Sequence, residues 1–129
     1  MLPKQPGKIR RLVPLAHVAS VPRSVAFYGK LGFDLVNSIS SPTDGDEPRW
    51  AYLRSGQADL MVERAAGLVV AEKQTMLCYL YTDDVIRFHT ALVQAGLSPG
   101  EIVFPVHSPV GEFRVLDPDG YVLLVGQNY

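Results

Sequence analysis

Apolar and polar residues alternate along the first half of the chain in a pattern that predicts strand, helix and three further strands. Apolar residues recur at helical spacing over 21–31, with Ser20 as the predicted N-cap and Gly32 as the predicted C-cap. The predicted strands are 9–18, 33–39, 49–54 and 58–64. Because proline cannot donate to a sheet ladder, Pro14 predicts that the first strand lies at an edge or begins irregularly.

The same order of elements begins again after a connector at 65–74. A helix is predicted from Asp83 or Asp84 to Gly96, and a DPDG turn at 117–120 joins the last two strands. The extended segments are 75–82, 101–106, 113–116 and 121–125. A shift of 64 residues superposes Val21 on Val85, Arg23 on Arg87, Gly32 on Gly96 and Gly56 on Gly120. Neither half can bury its helix and both sheet faces alone, so the halves are predicted to pack together.

Length, composition and charge place the chain among small globular proteins. With 129 residues, 47% of them apolar and 19% charged, it is too hydrophobic to be disordered and long enough for one compact domain. A net charge of −1 argues against nucleic acid as a partner, because that binding depends on neutralising many phosphates. The apolar runs are too short to span a membrane. Cys78 has no second cysteine to pair with, which favours a cytoplasmic protein.

Three longer motifs carry a resemblance that covers residues 9–127. They are PRSVAFYGKLGFDLV at 22–36, WAYLRSGQADLMVER at 50–64 and FRVLDPDGYVLLV at 113–125. Together they resemble the vicinal-oxygen-chelate superfamily of glyoxalases, bleomycin resistance proteins and extradiol dioxygenases. The resemblance implies an α+β fold of two tandem βαβββ modules, with mixed sheets curling around a cavity, and a homodimer. The implied boundaries are an N-terminal arm at 1–8, modules at 9–66 and 75–129, and a connector at 67–74.

The metal-ligand positions implied by this resemblance hold no usual ligand. They fall on Val13, Met61, Thr75 and Leu124. Divalent ions in such sites need several carboxylate or imidazole donors that converge at bonding distance. The resemblance therefore implies a member without a metal or other cofactor. The alternative is a displaced metal site that recruits His17, Glu63 and His107, although His17 lies about 13 Å of strand beyond the family's ligand position.

Strand alternation assigns a set of candidate ligand-binding residues to the cavity faces of the sheets. The set is His17, Trp50, Tyr52, Met61, Glu63, Tyr79, Glu112 and Arg114. The aromatic rings offer stacking surfaces for a flat or amphipathic molecule. Arg114 falls where members of the resembled family present a substrate-contacting residue. A buried guanidinium is costly unless it is paired, so we expect Arg114 to meet Glu112, Glu63 or an anionic ligand.

Two turn carboxylates and one cysteine are not interpreted as catalytic. Asp117 and Asp119 belong to the DPDG turn, and Cys78 lies between apolar residues in a strand. The sequence thus predicts a metal-independent protein that sequesters an aromatic or amphipathic small molecule, with antibiotic resistance as one such role. The first alternative is a metal-dependent glyoxalase, lyase or dioxygenase. The second is a structural or regulatory protein whose cavity is filled by side chains.

Overall fold

The computed structural model describes residues 7–127, apart from the side chain of Asp44, and has the predicted α+β architecture. The predicted arm at 1–8 therefore lies largely outside the described residues. The first module consists of β1 (Leu15–Val18), α1 (Val21–Lys30), β2 (Asp34–Ser40), β3 (Pro48–Ser55) and β4 (Ala58–Arg64). Its strands form one mixed sheet in the order β1-β4-β3-β2, with β1 parallel to β4. Short 3-10 turns occupy Pro42–Asp44 and Ala71–Lys73.

The second module repeats this arrangement with one strand fewer. It consists of β5 (Leu77–Thr82), α2 (Val85–Gln94), β6 (Glu112–Leu116) and β7 (Val122–Gln127). Its strands form a sheet in the order β5-β7-β6, again with the first strand parallel to the last. Neither helix of the described residues is long and apolar enough to cross a membrane.

Both helices begin at predicted N-caps, but they end at Lys30 and Gln94, with Leu31 and Ala95 rather than the following glycines as the C-caps. The Ser20 hydroxyl accepts a hydrogen bond from the Arg23 amide at 3.3 Å, and the Asp84 carboxylate accepts one from the Arg87 amide at 3.1 Å. Such caps satisfy amides that have no partner within the first helical turn. Gly32 follows the first helix with φ +98, a left-handed conformation that glycine adopts without steric cost.

The predicted strands at 9–18 and 101–106 differ most from the structure. The first begins at Leu15 rather than at residue 9, because Pro14 accepts a hydrogen bond from the Met61 amide at 2.9 Å but has no N–H to continue the ladder. The extended segment 101–106 contributes only the isolated bridge between Val103 and Glu112. Pro105 similarly lacks the donor that further pairing would need.

The core lies between the helices and one face of each sheet. The apolar residues buried on the core-facing sides of the strands include Ala51, Leu53, Val62, Phe113, Val115, Leu123 and Val125. The intervening side chains point to the opposite side of each sheet. We call these sides the first open face, on the sheet of β1–β4, and the second open face, on the sheet of β5–β7.

The DPDG turn fastens the second module to the first helix. The Tyr28 hydroxyl donates to Asp117 Oδ2 at 2.7 Å, and the Ala19 amide donates to Asp119 Oδ1 at 2.9 Å. Within the turn, Asp117 Oδ1 also accepts the amides of Asp119 and Tyr121. Burial raises the pKa of Asp117 despite these donors, and burial raises the pKa of Tyr28. The two carboxylates are turn residues, as predicted, and they additionally join the modules.

Candidate ligand-binding faces

The first open face carries two rows of neighbouring side chains. Cross-strand pairing defines them as His17, Glu63 and Trp50 in one row, and Leu15, Met61 and Tyr52 in the other. The rings of Trp50 and Tyr52 meet edge to face, with centroids 6.3 Å apart. This geometry is favourable for aromatic pairs and leaves the ring surfaces half-buried. The five candidate residues assigned to this sheet therefore share one face.

The carboxylates of the first open face have partners within the chain. Asp59 accepts hydrogen bonds from the Tyr52 hydroxyl at 2.7 Å and from Arg54 Nε at 2.8 Å, and Arg11 lies at 3.0 Å. The Asp59 side chain is only 6% exposed. The bond from Arg54, followed by that from Tyr52, lowers the pKa of Asp59. This cluster was missed at the sequence level, because it depends on the hairpin register that sets Arg54 opposite Asp59.

His17 and Glu63 form a more open pair on the same face. His17 Nε2 lies 3.7 Å from Glu63 Oε2, and both side chains are exposed to solvent. Arg114 is not near this pair in the sheet order, because it belongs to the other module. The carboxylate of Glu63 is therefore not the partner of Arg114 that the sequence analysis considered.

The second open face is built around two stacked tyrosines. The rings of Tyr79 and Tyr81 lie 5.9 Å apart at an interplanar angle of 15°, and the residues are 46% and 63% exposed. Cross-strand pairing extends each ring into a row: Tyr79, Leu124 and Arg114 in one, and Tyr81, Gly126 and Glu112 in the other. The face thus combines an exposed aromatic surface with one cation and one anion.

The charges of this face are arranged differently from the expectation. Glu112, whose side chain is 9% exposed, pairs with His107 at 3.2 Å rather than with Arg114. Among residues 7–127, Arg114 has no ion-pair partner. Pairing with Glu112 or Glu63 is therefore wrong for this chain. The physical reason is that Arg114 is exposed, so water solvates its guanidinium and no partner is required.

The residues at the implied metal positions do not fit a divalent ion. Met61 and Leu124 present a thioether and a hydrocarbon on the two open faces, and neither supplies an anionic or imidazole donor. Across the described chain, no three His, Cys, Asp or Glu side chains converge on a common point. His107 lies against Glu112, away from the pair of His17 and Glu63. The three residues of the alternative, displaced site are therefore not brought together.

Cys78 is half-buried on the helix-facing side of β5. Burial, followed by the negative charge of Asp117, raises the pKa of its thiol. A raised pKa lowers the thiolate fraction at neutral pH, which is the opposite of what an activated nucleophile needs. The cysteine therefore acts as a small packing residue next to the core.

The chain matches one family model, and its fold is similar to those of several solved structures. The model of the Glyoxalase/Bleomycin resistance protein/Dioxygenase superfamily matches residues 11–125. A sequence search of curated proteins gives no match.

Several solved structures share the fold at low sequence identity. A bleomycin resistance determinant encoded on the transposon Tn5 has a TM-score of 0.74 at 21% identity, over 93% of this chain and 98% of that one. A bleomycin-binding protein complexed with bleomycin has a TM-score of 0.75 at 21% identity, over 94% and 100%. A bleomycin-binding protein from Streptomyces verticillus, complexed with copper(II)-bleomycin, has a TM-score of 0.72 at 20% identity, over 95% and 99%.

Proposed function

Because the chain belongs to the glyoxalase/bleomycin resistance/dioxygenase superfamily, we propose that it is a metal-independent protein that binds and sequesters an aromatic or amphipathic small molecule. The observation that carries the proposal is the second open face. Stacked tyrosines lie there beside an arginine without an ion-pair partner among the described residues, and no potential metal ligand occupies the implied metal positions.

The second open face favours a planar ligand with an anionic group. Tyr79 offers an exposed ring surface, and Leu124 separates it from Arg114 within one row. An aromatic body would stack on the ring while a carboxylate or sulfonate accepts hydrogen bonds from the guanidinium fork. Glu112 is already engaged by His107, so it repels such a ligand less than a free carboxylate would.

The first open face supplies further aromatic surface. Trp50 and Tyr52 are half-buried, and Asp59 is neutralised by its arginine partners. Met61 lies between these rings and β1, and its flexible thioether adapts to ligands of different shape. His17 and Glu63 stand at the side of this surface, where they would orient polar groups of the ligand.

We further propose that the protein is a homodimer in which the open faces are covered by the second copy. Large apolar side chains remain exposed on both faces: Leu15 and Ile39 on the first, and Leu77, Tyr79, Tyr81 and Leu116 on the second. On the second face, Leu77 and Leu116 lie in one row across Val122, beside Tyr79, and apolar patches of this kind mark interaction surfaces. Covering them would also exclude water from a ligand held between the faces, which strengthens the contact with Arg114.

The similar structures support sequestration as the mode of action. Two of them are described as bleomycin-binding proteins in complex with that drug, and a third as a resistance determinant. Sequestration requires affinity but no reacting group, which agrees with the absence of metal donors at the implied positions. A cytoplasmic role in resistance to a small toxic molecule is the biological setting that we propose.

Calorimetric titration of the EDTA-treated protein with naphthoate, an anionic aromatic compound, tests the proposal. Titrations with naphthylmethylamine and bleomycin, which carry positive charge, serve as comparisons. We expect saturable naphthoate binding at a fixed number of sites per chain, unchanged when Zn²⁺, Mn²⁺ or Ni²⁺ is added. Binding of naphthoate that appears only after a metal is restored would overturn metal independence. No saturable binding of any of the three probes would overturn the sequestering role.

A further inference from the structure

The two modules meet at two junctions that the internal repeat makes equivalent. At the first junction, the turn after β6 meets the connection from β1 to α1. At the second junction, the turn after β3 and the connection from β5 to α2 line one cleft. The 64-residue shift places Asp83 where the first junction has Ala19, and Arg87 where it has Arg23. These residues of the first junction therefore have counterparts in the second.

The first junction is closed by the side chain of Asp119. Its Oδ1 accepts the Ala19 amide at 2.9 Å and lies 3.3 Å from Arg23. The Asp119 side chain is 1% exposed, so the carboxylate is packed into the gap between the modules. Gly120 follows with backbone so close to Ala71 that an added Cβ would lie 2.6 Å from it. The connector therefore fills the space directly against Gly120, and a pocket of about 470 Å³ lies along the connector beside Tyr121.

The second junction is open because its turn is shorter and carries no carboxylate. Ser55 pairs directly with Ala58, so only Gly56 and Gln57 form the tip. At the first junction, the corresponding strands are joined through residues 117–121. The shorter turn leaves a cleft of about 670 Å³ between the modules. This volume is within the ordinary range for small-molecule sites, roughly 300–1,000 Å³.

The cleft has apolar walls and a polar rim. Its apolar walls include Leu31, Phe33, Phe88 and Val125. Its polar side chains are Ser55, Gln57, Thr82 and Asp83, together with the tyrosines of β5. Asp83 is the charged residue of the cleft lining. It forms no ion pair within residues 7–127, and Arg87, the nearby arginine on α2, is not its partner.

We propose that this cleft is a second binding site, which takes an amphipathic molecule bearing a positively charged nitrogen. The apolar body would pack on Phe33 and Phe88, and the cation would lie beside the Asp83 carboxylate. The hydroxyls of Ser55 and Thr82 can accept hydrogen bonds from the same ammonium group. The charge preference is opposite to that of the second open face, although Tyr79 and Tyr81 border both sites.

Amide chemical shifts during titration with naphthylmethylamine test this site. We expect saturable shifts centred on Gly56, Gln57 and Asp83, with smaller changes at Arg114. The substitution Asp83→Asn removes the charge but leaves the Asp84 cap in place, and it should weaken binding about three- to fivefold. Asp34→Asn, at an exposed carboxylate on β2, is the matched control and should leave the affinity unchanged.

A second variant fills the cleft without touching its charge. Ala58→Trp places a large ring at the exposed turn, and we expect it to abolish the shifts while the circular dichroism spectrum is retained. Naphthoate binding at Arg114 should persist in Asp83→Asn, so failure of this site and failure of the proposed function are distinguishable. Three results would overturn the proposed cleft site. They are chemical-shift changes with naphthylmethylamine that centre on Arg114, wild-type affinity in Asp83→Asn, and a titration that does not saturate.

Discussion

The two open faces share the order of three strands and their position in the repeat, but they differ in how their charges are satisfied. On the first face, Asp59 is held by Arg54 and Arg11. On the second face, Arg114 is exposed and has no ion-pair partner among the described residues. A charged ligand at the first face must compete with existing ion pairs, whereas at Arg114 it displaces only water.

Under the proposed function, this difference would divide the work of binding between the faces. The first face would offer preorganised aromatic surface, because Asp59 fixes the Tyr52 hydroxyl through a hydrogen bond of 2.7 Å. The second face would offer the charge that selects the ligand. Rigid surface increases affinity by lowering the entropy lost on binding, while an unpaired charge gives specificity. Substitutions on each face separate these contributions.

The largest effect is expected from a charge placed on an apolar residue of the second open face. Leu116→Glu changes a side chain that is 58% exposed, so the folded chain should tolerate it. Between two copies, the buried carboxylate would be costly, and we expect sedimentation velocity to record a shift from dimer to monomer. Ile86→Glu changes a comparably exposed residue on α2 and should remain dimeric. Equal masses for the two variants would contradict the assignment of the open face as the interface.

Loss of the Arg114 cation is expected to have the next largest effect. Arg114→Leu removes a charge-assisted hydrogen bond to an anionic ligand, and it should weaken naphthoate binding about tenfold in calorimetric titration. Arg87→Leu, an exposed arginine on α2, provides the control. If both variants bind as the wild type does, the second face does not select charge.

Loss of stacking should weaken binding by a smaller factor. Tyr79→Ala removes one ring of the stacked pair, and aromatic contacts of this kind contribute about 0.5–1.5 kcal/mol beyond burial. We therefore expect naphthoate affinity to fall about two- to tenfold. Tyr79→Phe keeps the ring and should bind normally. A loss in Tyr79→Phe as large as that in Tyr79→Ala would instead assign the effect to the hydroxyl.

The smallest effect concerns the pH dependence of stability rather than affinity. The pKa of Asp59 is lowered in the folded state from a reference of 3.8, chiefly by Arg54, so the folded form binds this proton less readily than the unfolded form. Its stabilisation is present above the unfolded pKa and is lost as the pH falls through the folded pKa. The thermal midpoint of Asp59→Asn should lie below that of the wild type at pH 7, with the gap closing below about pH 4. Glu101→Gln, an exposed control, should show no such closure.

The parts of the fold that follow from local periodicity could be predicted, and those that depend on register or loops could not. In β4, the two-residue period places Val62 on the face opposite Asp59 and Glu63, and Val62 is fully buried. The pairing of Arg54 with Asp59 required the register of a two-residue turn. Glu112 pairs with His107, which lies in a loop. Periodic patterns do not predict the path of a loop, so this pairing could not be predicted.

The candidate site was predictable to the same extent. Alternation was enough to assign Trp50 and Tyr52 to one face, and Glu112 and Arg114 to another. It was not enough to foresee that Arg114 would be solvated rather than paired, because exposure depends on what covers a face. The open cleft at Asp83 was also unforeseen, since it arises from a difference in turn length between the repeats.

A crystal structure of EDTA-treated protein with naphthoate, recorded with anomalous scattering at metal absorption edges, separates metal-independent binding from binding through a metal. We expect the naphthoate carboxylate within hydrogen-bond distance of the Arg114 guanidinium, its rings against Tyr79, and no anomalous peak on either open face. A metal ion coordinated on one of those faces, with naphthoate bound through it, would show that metal-independent sequestration is wrong.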